Sequence, residues 1–302
     1  MKIPIFTGPT GVGKSAFAVE FAKKTNGEIV SVDSMQIYKH MNVGTAKVKE
    51  KEKKGVPHHM IDVLKPNEEF DVERFRKRVL EIVEEIIKRK SKPVLVGGSG
   101  LYVHAIKYGI FEGPSKNKTI RSNLEKIEKE SPGALRRLLK KVDPIAYEKF
   151  EENDKLRAIR ALEVYILSGQ PISTLWNKRK EDKRFIIFVL NMKREALYDR
   201  INKRVDKMFK EGLVEEVKKL IEMGFSKDLP AMKSIGYKEV VKYLEGEMSF
   251  EECKEEIKKQ TRRFAKRQLT WFRKYDDAVW LDLSEKKEDL FDKVLKKLNW
   301  GD

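Results

Sequence analysis

The chain's 302 residues contain one cysteine, Cys253. That excludes a disulfide framework and leaves no cysteine-based zinc site. No apolar stretch approaches the roughly 20 residues needed to span a bilayer. The N-terminus runs directly into a strand-like segment, without the charged start, apolar run and small-residue cleavage site of a secretory leader. There is no internal repeat and no low-complexity linker. These absences lead to the expectation of a cytoplasmic, soluble protein. Acidic charge is also scarce: 48 Asp and Glu stand against 65 Lys and Arg, a formal net charge of +17. An ordinary metabolite kinase has no need of that excess. A protein that holds a nucleic-acid backbone does, because each neutralised phosphate releases counterions. A generally lysine-rich surface with ion-pair networks, of the thermophile kind, would give the same balance. The length is enough for a full core and for two structural units.

What is present begins at residue 8. Gly8-Pro9-Thr10-Gly11-Val12-Gly13-Lys14-Ser15 satisfies G-x-x-x-x-G-K-[ST]. Such a loop wraps backbone N–H groups around a phosphate chain, its Lys reaches the outer phosphates and its hydroxyl holds Mg²⁺. Ile3, Ile5 and Phe6 precede it as a strand, broken only by Pro4, and Ser15 to Lys24 follow as an amphipathic helix. The dipole of that helix adds to the phosphate site. The motif predicts a bound polyphosphate and leaves open whether it belongs to ATP.

Residues 1–115 alternate strands with helices. Glu28 to Asp33 reads as a buried strand ending in a carboxylate, Glu73 to Arg89 as a helix and Lys92 to Gly98 as another strand. This alternation predicts an α/β fold, a P-loop NTPase-like parallel sheet flanked by helices, with the ligand beyond the carboxyl ends of the strands. The loop at Gly8, the Asp33-Ser34 pair and Gly97-Gly98-Ser99-Gly100 then converge on one crevice. Residues 116–183 lose the strand pattern and read as an inserted α-helical subdomain, with helices at Thr119 to Glu130, Gly133 to Lys141 and Leu156 to Leu167. Basic residues are dense there, among them Arg136, Arg137, Lys140 and Lys141. Residues 184–302 return to the core domain. A strand at Arg184 to Leu190 leads to helices at Arg194 to Glu211, Leu213 to Met223 and Phe250 to Lys274. A short strand at Val279 to Leu283 and a polar helix close the chain.

Several constellations carry chemistry. Asp33 sits where a strand-end carboxylate holds Mg²⁺, serves as a general base or caps a turn, and its spacing does not choose among them. Ser99 offers a hydroxyl at a glycine-rich strand-to-helix junction, which helix capping explains equally well. Arg200 and Arg204 share a helix face, suited to a departing pyrophosphate or to a solvated face paired with Asp199 or Glu195. The segment from Gln260 to Arg273 is the densest in basic residues. Phe264, Gln268 or Leu269, Trp271 and Phe272 are placed as an apolar stripe, with Arg262, Arg263, Lys266, Arg267 and Arg273 around it. That pattern suits a nucleic-acid backbone, with Trp271 mainly structural. His58 and His59 lack companions at metal-ligand spacing, which argues against zinc.

Together these segments resemble the isopentenyl-tRNA transferases, the tRNA dimethylallyltransferase family, over nearly the whole chain. The resemblance is carried by Gly8 to Ser15, Ser31 to Tyr38, Met41-Asn42-Val43-Gly44-Thr45-Ala46-Lys47, Pro57 to Asp62 and Val96 to Tyr102. It continues through Asn153-Asp154 with Arg157 to Val164, Gly236-Tyr237, and Lys266 to Arg273. Departures are mild. Ser99 stands where Thr is frequent, and Lys233 and Lys238 stand where Arg is common, which keeps charge but loses bidentate geometry. The lack of a C-terminal zinc finger points to the bacterial form.

The resemblance implies a prenyl transfer from dimethylallyl diphosphate to N6 of an adenine just 3′ of the anticodon (position 37), in tRNAs that read codons beginning with U. It implies that Gly8, Pro9, Thr10, Gly11, Val12, Gly13, Lys14 and Ser15 hold the diphosphate, with Mg²⁺ on Ser15, and not ATP. Asp33 becomes the general base, Ser99 positions the amine, and Lys14 with Arg204 or Arg200 stabilises the departing pyrophosphate. Contacts to tRNA are implied for Asp33, Ser34, Met35, Gln36, Ser99 and Arg121, and for Leu156, Arg157, Ala158, Ile159 and Arg160. They are also implied for Lys233, Ser234, Ile235, Gly236, Tyr237 and Lys238, and for Lys266, Arg267, Gln268, Leu269, Thr270, Trp271, Phe272 and Arg273. The insertion would grip the anticodon stem-loop, with the protein a monomer. The competing reading is a small-molecule or nucleotide kinase on the same scaffold.

Overall fold

In the computed structural model, which describes residues 1–111, 113–176 and 180–300, six strands form one parallel sheet. They are β1 (Ile3–Thr7), β2 (Gly27–Ser31), β3 (His58–His59), β4 (Lys92–Val96), β5 (Phe185–Asn191) and β6 (Val279–Asp282), in the order β3-β2-β4-β1-β5-β6. The central strands β1 and β5 are apolar along almost their whole length because both faces are covered. Helices α1 (Lys14–Thr25), α2 (Glu50–Lys53), α3 (Val72–Lys88) and α4 (Gly100–Tyr108) join the first strands. Phe6 of β1 packs edge-on against Phe17 and Phe21 of α1, with centroids 5.1 and 5.2 Å apart. Helix α3 starts where it does because the Asp71 carboxylate accepts the Arg74 amide at 2.8 Å, satisfying a first-turn donor.

The chain forms two compact units, Met1–Lys107 with Asp182–Asp302, and Tyr108–Glu181. The second is wholly helical among its described residues: α5 (Lys118–Glu130), α6 (Ala134–Val142), α7 (Pro144–Lys149), α8 (Lys155–Ser168) and α9 (Ile172–Trp176). Its core joins Leu124, Leu135, Leu139, Ile159, Leu162 and Leu175. Its first residue precedes the expected boundary at 116. Phe111 packs on this helical core, and the Pro114 carbonyl accepts the Arg160 guanidinium at 2.9 Å, so the segment folds with the insertion.

After β5 the first unit continues with α10 (Arg194–Lys210), α11 (Leu213–Glu222), α12 (Tyr237–Leu244), α13 (Phe250–Phe272) and α14 (Lys287–Leu298). The 23-residue α13 opens with a capping box. The Glu252 amide donates to the Ser249 hydroxyl, and the Glu252 carboxylate accepts the Ser249 amide at 2.8 Å. Two elements differ from expectation. The strand read as Glu28 to Asp33 ends at Ser31, because the Asp33 carboxylate accepts the Met35 and Gln36 amides and turns the chain. The His58-His59 pair forms the short edge strand β3, where His59 Nε2 meets the Glu28 carboxylate at 2.7 Å. Among the described residues no helix is long and apolar enough to cross a membrane.

Candidate active site

Strand register brings the site together. Phe6 of β1 and Ser31 of β2 both pair with Val96 of β4, so three strands end level with one another. The loops that leave them, Gly8 to Gly13, Val32 to Ser34 and Gly97 to Ser99, therefore share one edge of the sheet. Among the bonds that tie them, the Gly97 amide donates to the Phe6 carbonyl at 3.1 Å, and the Val32 amide to the Val96 carbonyl at 2.7 Å.

Lys14 opens α1 and turns its ammonium back along the phosphate loop, donating to the carbonyls of Gly8 at 3.0 Å and Pro9 at 2.9 Å. Burial, together with the positive charge of Arg204, pushes this ammonium down to about 7, while Asp33 pulls the other way. Arg204 projects from α10, and its Nη2 donates to the Thr45 carbonyl at 3.3 Å. Burial pushes its guanidinium down from its ordinary value, opposed by the Asp33 carboxylate. Asp33, Lys14 and Arg204 thus lie within electrostatic reach of one another: two poorly solvated cations beside one carboxylate.

Ser99 and Ser34 are tied to each other. The Ser99 hydroxyl accepts the Ser34 amide at 2.9 Å and meets the Ser34 hydroxyl at 3.1 Å. It is committed to the Asp33-Ser34 turn, while the Ser99 carbonyl receives the Tyr102 and Val103 amides of α4. Met35 and Gln36 continue the turn, half-buried.

Arg200, one turn before Arg204 on α10, is exposed, and its guanidinium lies against the end of the phosphate loop. A methyl group on Gly13 would stand 3.0 Å from its Nη2. Asp199, one of the two acidic partners considered for this face, binds Lys203 at 2.8 Å.

Helix α13 has two faces. Inward, Gln268 is buried; its Oε1 accepts the Thr10 amide and its Nε2 donates to the Gly98 carbonyl, both at 2.8 Å. A methyl group on Gly98 would come within 2.5 Å of that Nε2, so the bridge requires glycine there. Phe272 is fully buried, Leu269 packs against the sheet core, and the Trp271 indole donates to the Tyr275 hydroxyl at 2.9 Å. Outward, Arg263, Lys266, Arg267, Thr270 and Arg273 are exposed. Phe264 stands on this outer face under the Arg267 guanidinium and not in the apolar stripe, which Ala265, Gln268 and Phe272 fill.

The Lys233 to Lys238 segment presents both lysines outward, Lys233 beside Asp228 and Lys238 beside Glu239. Ser234 donates to the Ala231 carbonyl at 2.7 Å, Ile235 is half-buried, and Gly236 is the N-cap of α12. Tyr237 is fully buried, and its hydroxyl donates to Glu216 at 2.7 Å. Of the residues expected at the RNA, Tyr237, Gln268 and Phe272 have buried side chains.

In the helical unit, Leu156 and Arg157 are exposed at the start of α8, whereas Ala158 and Ile159 face the helical core. Arg121 and Arg160 converge on Glu163, a carboxylate the sequence did not single out. Arg121 binds it twice at 2.8 Å and Arg160 at 2.6 Å. Burial alone would raise Glu163, but the bonds from Arg121, the Asn117 amide and Arg160 prevail and hold it down at about 2. Both arginines therefore reach solvent already paired.

Comparison with known proteins agrees with this arrangement. The sequence profile described as IPP transferase matches residues 36–275. A tRNA dimethylallyltransferase of Thermotoga neapolitana is 50% identical over 298 residues, covering 99% of this chain and 98% of that protein. The crystal structure of the full-length tRNA isopentenylpyrophosphate transferase of Bacillus halodurans is similar with a TM-score of 0.75 at 39% identity, over 99% of this chain and 97% of that one. A eukaryotic dimethylallyltransferase acting on tRNA is similar with a TM-score of 0.81 at 30% identity, over 98% of this chain and 78% of that one. Its sequence and its fold place this chain in the IPP transferase family.

Proposed function

We propose that the chain transfers a dimethylallyl group from dimethylallyl diphosphate to N6 of the adenine at position 37 of tRNAs reading U-starting codons, releasing diphosphate. The observation that carries this reading is the grouping of Lys14, Arg204 and Asp33 at the phosphate loop. Two poorly solvated cations suit the charge that grows on a departing diphosphate, and the carboxylate within their electrostatic reach suits the proton that must leave N6.

In the transfer, the N6 nitrogen attacks C1 of the prenyl group while the bond from C1 to the bridging oxygen breaks. That electron pair leaves with the diphosphate, and the N6 proton passes to the Asp33 carboxylate. Lys14, Arg204 and the loop amides of Gly11 and Gly13 receive the charge, with Arg200 at the rim. Ser99, tied to Ser34, orients the amine. The target base must leave its stack to reach such a site.

Hard oxygen donors are what a divalent ion prefers, and the Ser15 hydroxyl in the first turn of α1 is one. Among the described residues no group of three His, Cys, Asp or Glu could hold a metal. Diphosphate oxygens and water would therefore complete a Mg²⁺ shell begun at Ser15. When bound there, the ion adds positive charge to the leaving group.

The outer face of α13 and the exposed Lys233 and Lys238 hold the RNA backbone, while α8 of the helical unit grips the anticodon stem-loop, one protein molecule per tRNA. The test is incubation with unmodified tRNA and Mg²⁺ and either labelled dimethylallyl diphosphate or labelled ATP. Label entering tRNA from the prenyl donor supports the reading. Transfer from ATP alone, the outcome of a kinase on this scaffold, or from neither donor, would sink it.

A further inference from the structure

Glu216 on α11 accepts more hydrogen bonds than a half-buried surface carboxylate needs. Its Oε2 takes the backbone amides of Asn42 at 2.8 Å and Val43 at 2.7 Å. Its Oε1 takes the Gly44 amide at 3.0 Å and the Tyr237 hydroxyl at 2.7 Å. Successive amides aimed at one point make an anion-binding nest, and here the anion comes from the protein's own chain. The Tyr237 ring closes the arrangement from below: a methyl group on Gly44 would come within 2.5 Å of it. Burial and the neighbouring Glu216 charge push the Tyr237 phenol above its ordinary value, so it remains a donor.

The far end of the same loop is held as firmly. Buried Lys47 donates to the Tyr38 carbonyl at 2.7 Å, to Asn42 Oδ1 at 2.9 Å and to Asp62 at 2.6 Å. Between these anchors stands Thr45, whose hydroxyl donates back to the Met41 carbonyl at 2.7 Å. Its own carbonyl accepts Nη2 of Arg204. An arginine has many rotamers, and a fixed acceptor selects the one that aims its charge.

We infer that Glu216 is a positioning residue for the transfer reaction. With Tyr237 it fixes the loop from Asn42 to Thr45, so that the Thr45 carbonyl holds Arg204 at the diphosphate. The inference rests on the proposed function for its kinetic arm. It also stands on pyrophosphate binding alone, because Arg204 meets that anion whether or not a prenyl group is attached.

The experiment is a double-mutant cycle between Glu216→Gln and Arg204→Gln, repeated with Tyr237→Phe in place of Glu216→Gln in case the first variant folds poorly. Affinity for inorganic pyrophosphate, the turnover number for prenyl transfer and the affinity for tRNA are measured on each protein. Glu216→Gln should lower pyrophosphate affinity and turnover about 10-fold or more, and Tyr237→Phe about 3-fold, with tRNA affinity within about twofold. In the Arg204→Gln background each loss should shrink to within about twofold, since the group they position is gone. Losses that multiply in the double variants, or that fall on tRNA affinity, would overturn the inference. A wild-type protein that transfers no prenyl group would remove the proposed function. In that case the pyrophosphate cycle alone decides whether Glu216 acts through Arg204.

Discussion

Gln268 and Thr10 lie 258 residues apart in sequence and are joined by a hydrogen bond of 2.8 Å from the Thr10 amide to the Gln268 side-chain oxygen. The other end of the same amide group donates to Gly98. One buried side chain thus sets the spacing between the phosphate loop and the loop that carries Ser99. It does so from a helix whose opposite face is basic and exposed. Gln268→Glu keeps the acceptor for Thr10 but places a carboxylate oxygen against the Gly98 carbonyl. The expected result is a fall in turnover of about 10–100-fold, from one lost hydrogen bond and a buried repulsion. Binding of tRNA through the outer face should change little. Steady-state kinetics beside an RNA-binding titration checks this.

Pyrophosphate binding should report the charge state of Lys14. Its ammonium stands at about 7, so below that pH it is a cation ready for the anion, and above it the anion must first draw a proton from solution. Affinity should therefore fall as pH rises above about 7, with proton uptake on binding at pH 8. Arg204→Gln removes a positive neighbour and should move the midpoint upward, even though overall affinity drops. Calorimetry in buffers of different ionisation enthalpy measures both effects.

The helical unit carries its own pH signature. Glu163 is held at about 2, below its ordinary 4.5, so its ion pairs stabilise the fold fully above about 4.5 and are lost as pH falls toward 2. Glu163→Gln leaves Arg121 and Arg160 without their shared partner and should cost about 2 kcal/mol, visible as a lower melting temperature at pH 7. The difference between variant and wild type should close on acidification through that window.

Salt dependence of tRNA binding tests the outer face of α13. If Lys266 and Arg267 contact phosphates, removing either should reduce the slope of log affinity against log salt by about 0.7–0.9 per contact. Arg136 serves as the control. Its guanidinium is occupied by the Tyr147 and Phe150 carbonyls, so its removal should affect the stability of the helical unit more than the slope.

What was legible in the sequence was local. The glycine spacing and the Lys14-Ser15 pair announced the phosphate loop, because that function resides in consecutive backbone amides. The apolar runs of β1, β4 and β5 announced a parallel sheet, and the sheet in turn implied that Asp33 and Ser99 would meet the loop at its edge. The long-range clasps were not legible. Nothing in the surroundings of Gln268 marks it as a bridge, since it occupies an ordinary buried helix position. Glu216 and Glu163 read as two more carboxylates on charged helices until tertiary packing sets amides or arginines around them. Strand β3 has no signal in the sequence, because two histidines carry no strand pattern of their own and pair only by virtue of their neighbour, β2.

The most direct test of the central claim compares wild type with Asp33→Asn in a single-turnover transfer assay. Unmodified tRNA and dimethylallyl diphosphate are both saturating, and tRNA affinity is measured on the same preparations. With Asp33 as the proton acceptor, the rate should fall about 10²–10⁴-fold while tRNA affinity stays within about twofold. A variant that keeps its rate, or one whose loss of rate is matched by its loss of tRNA affinity, would contradict that role.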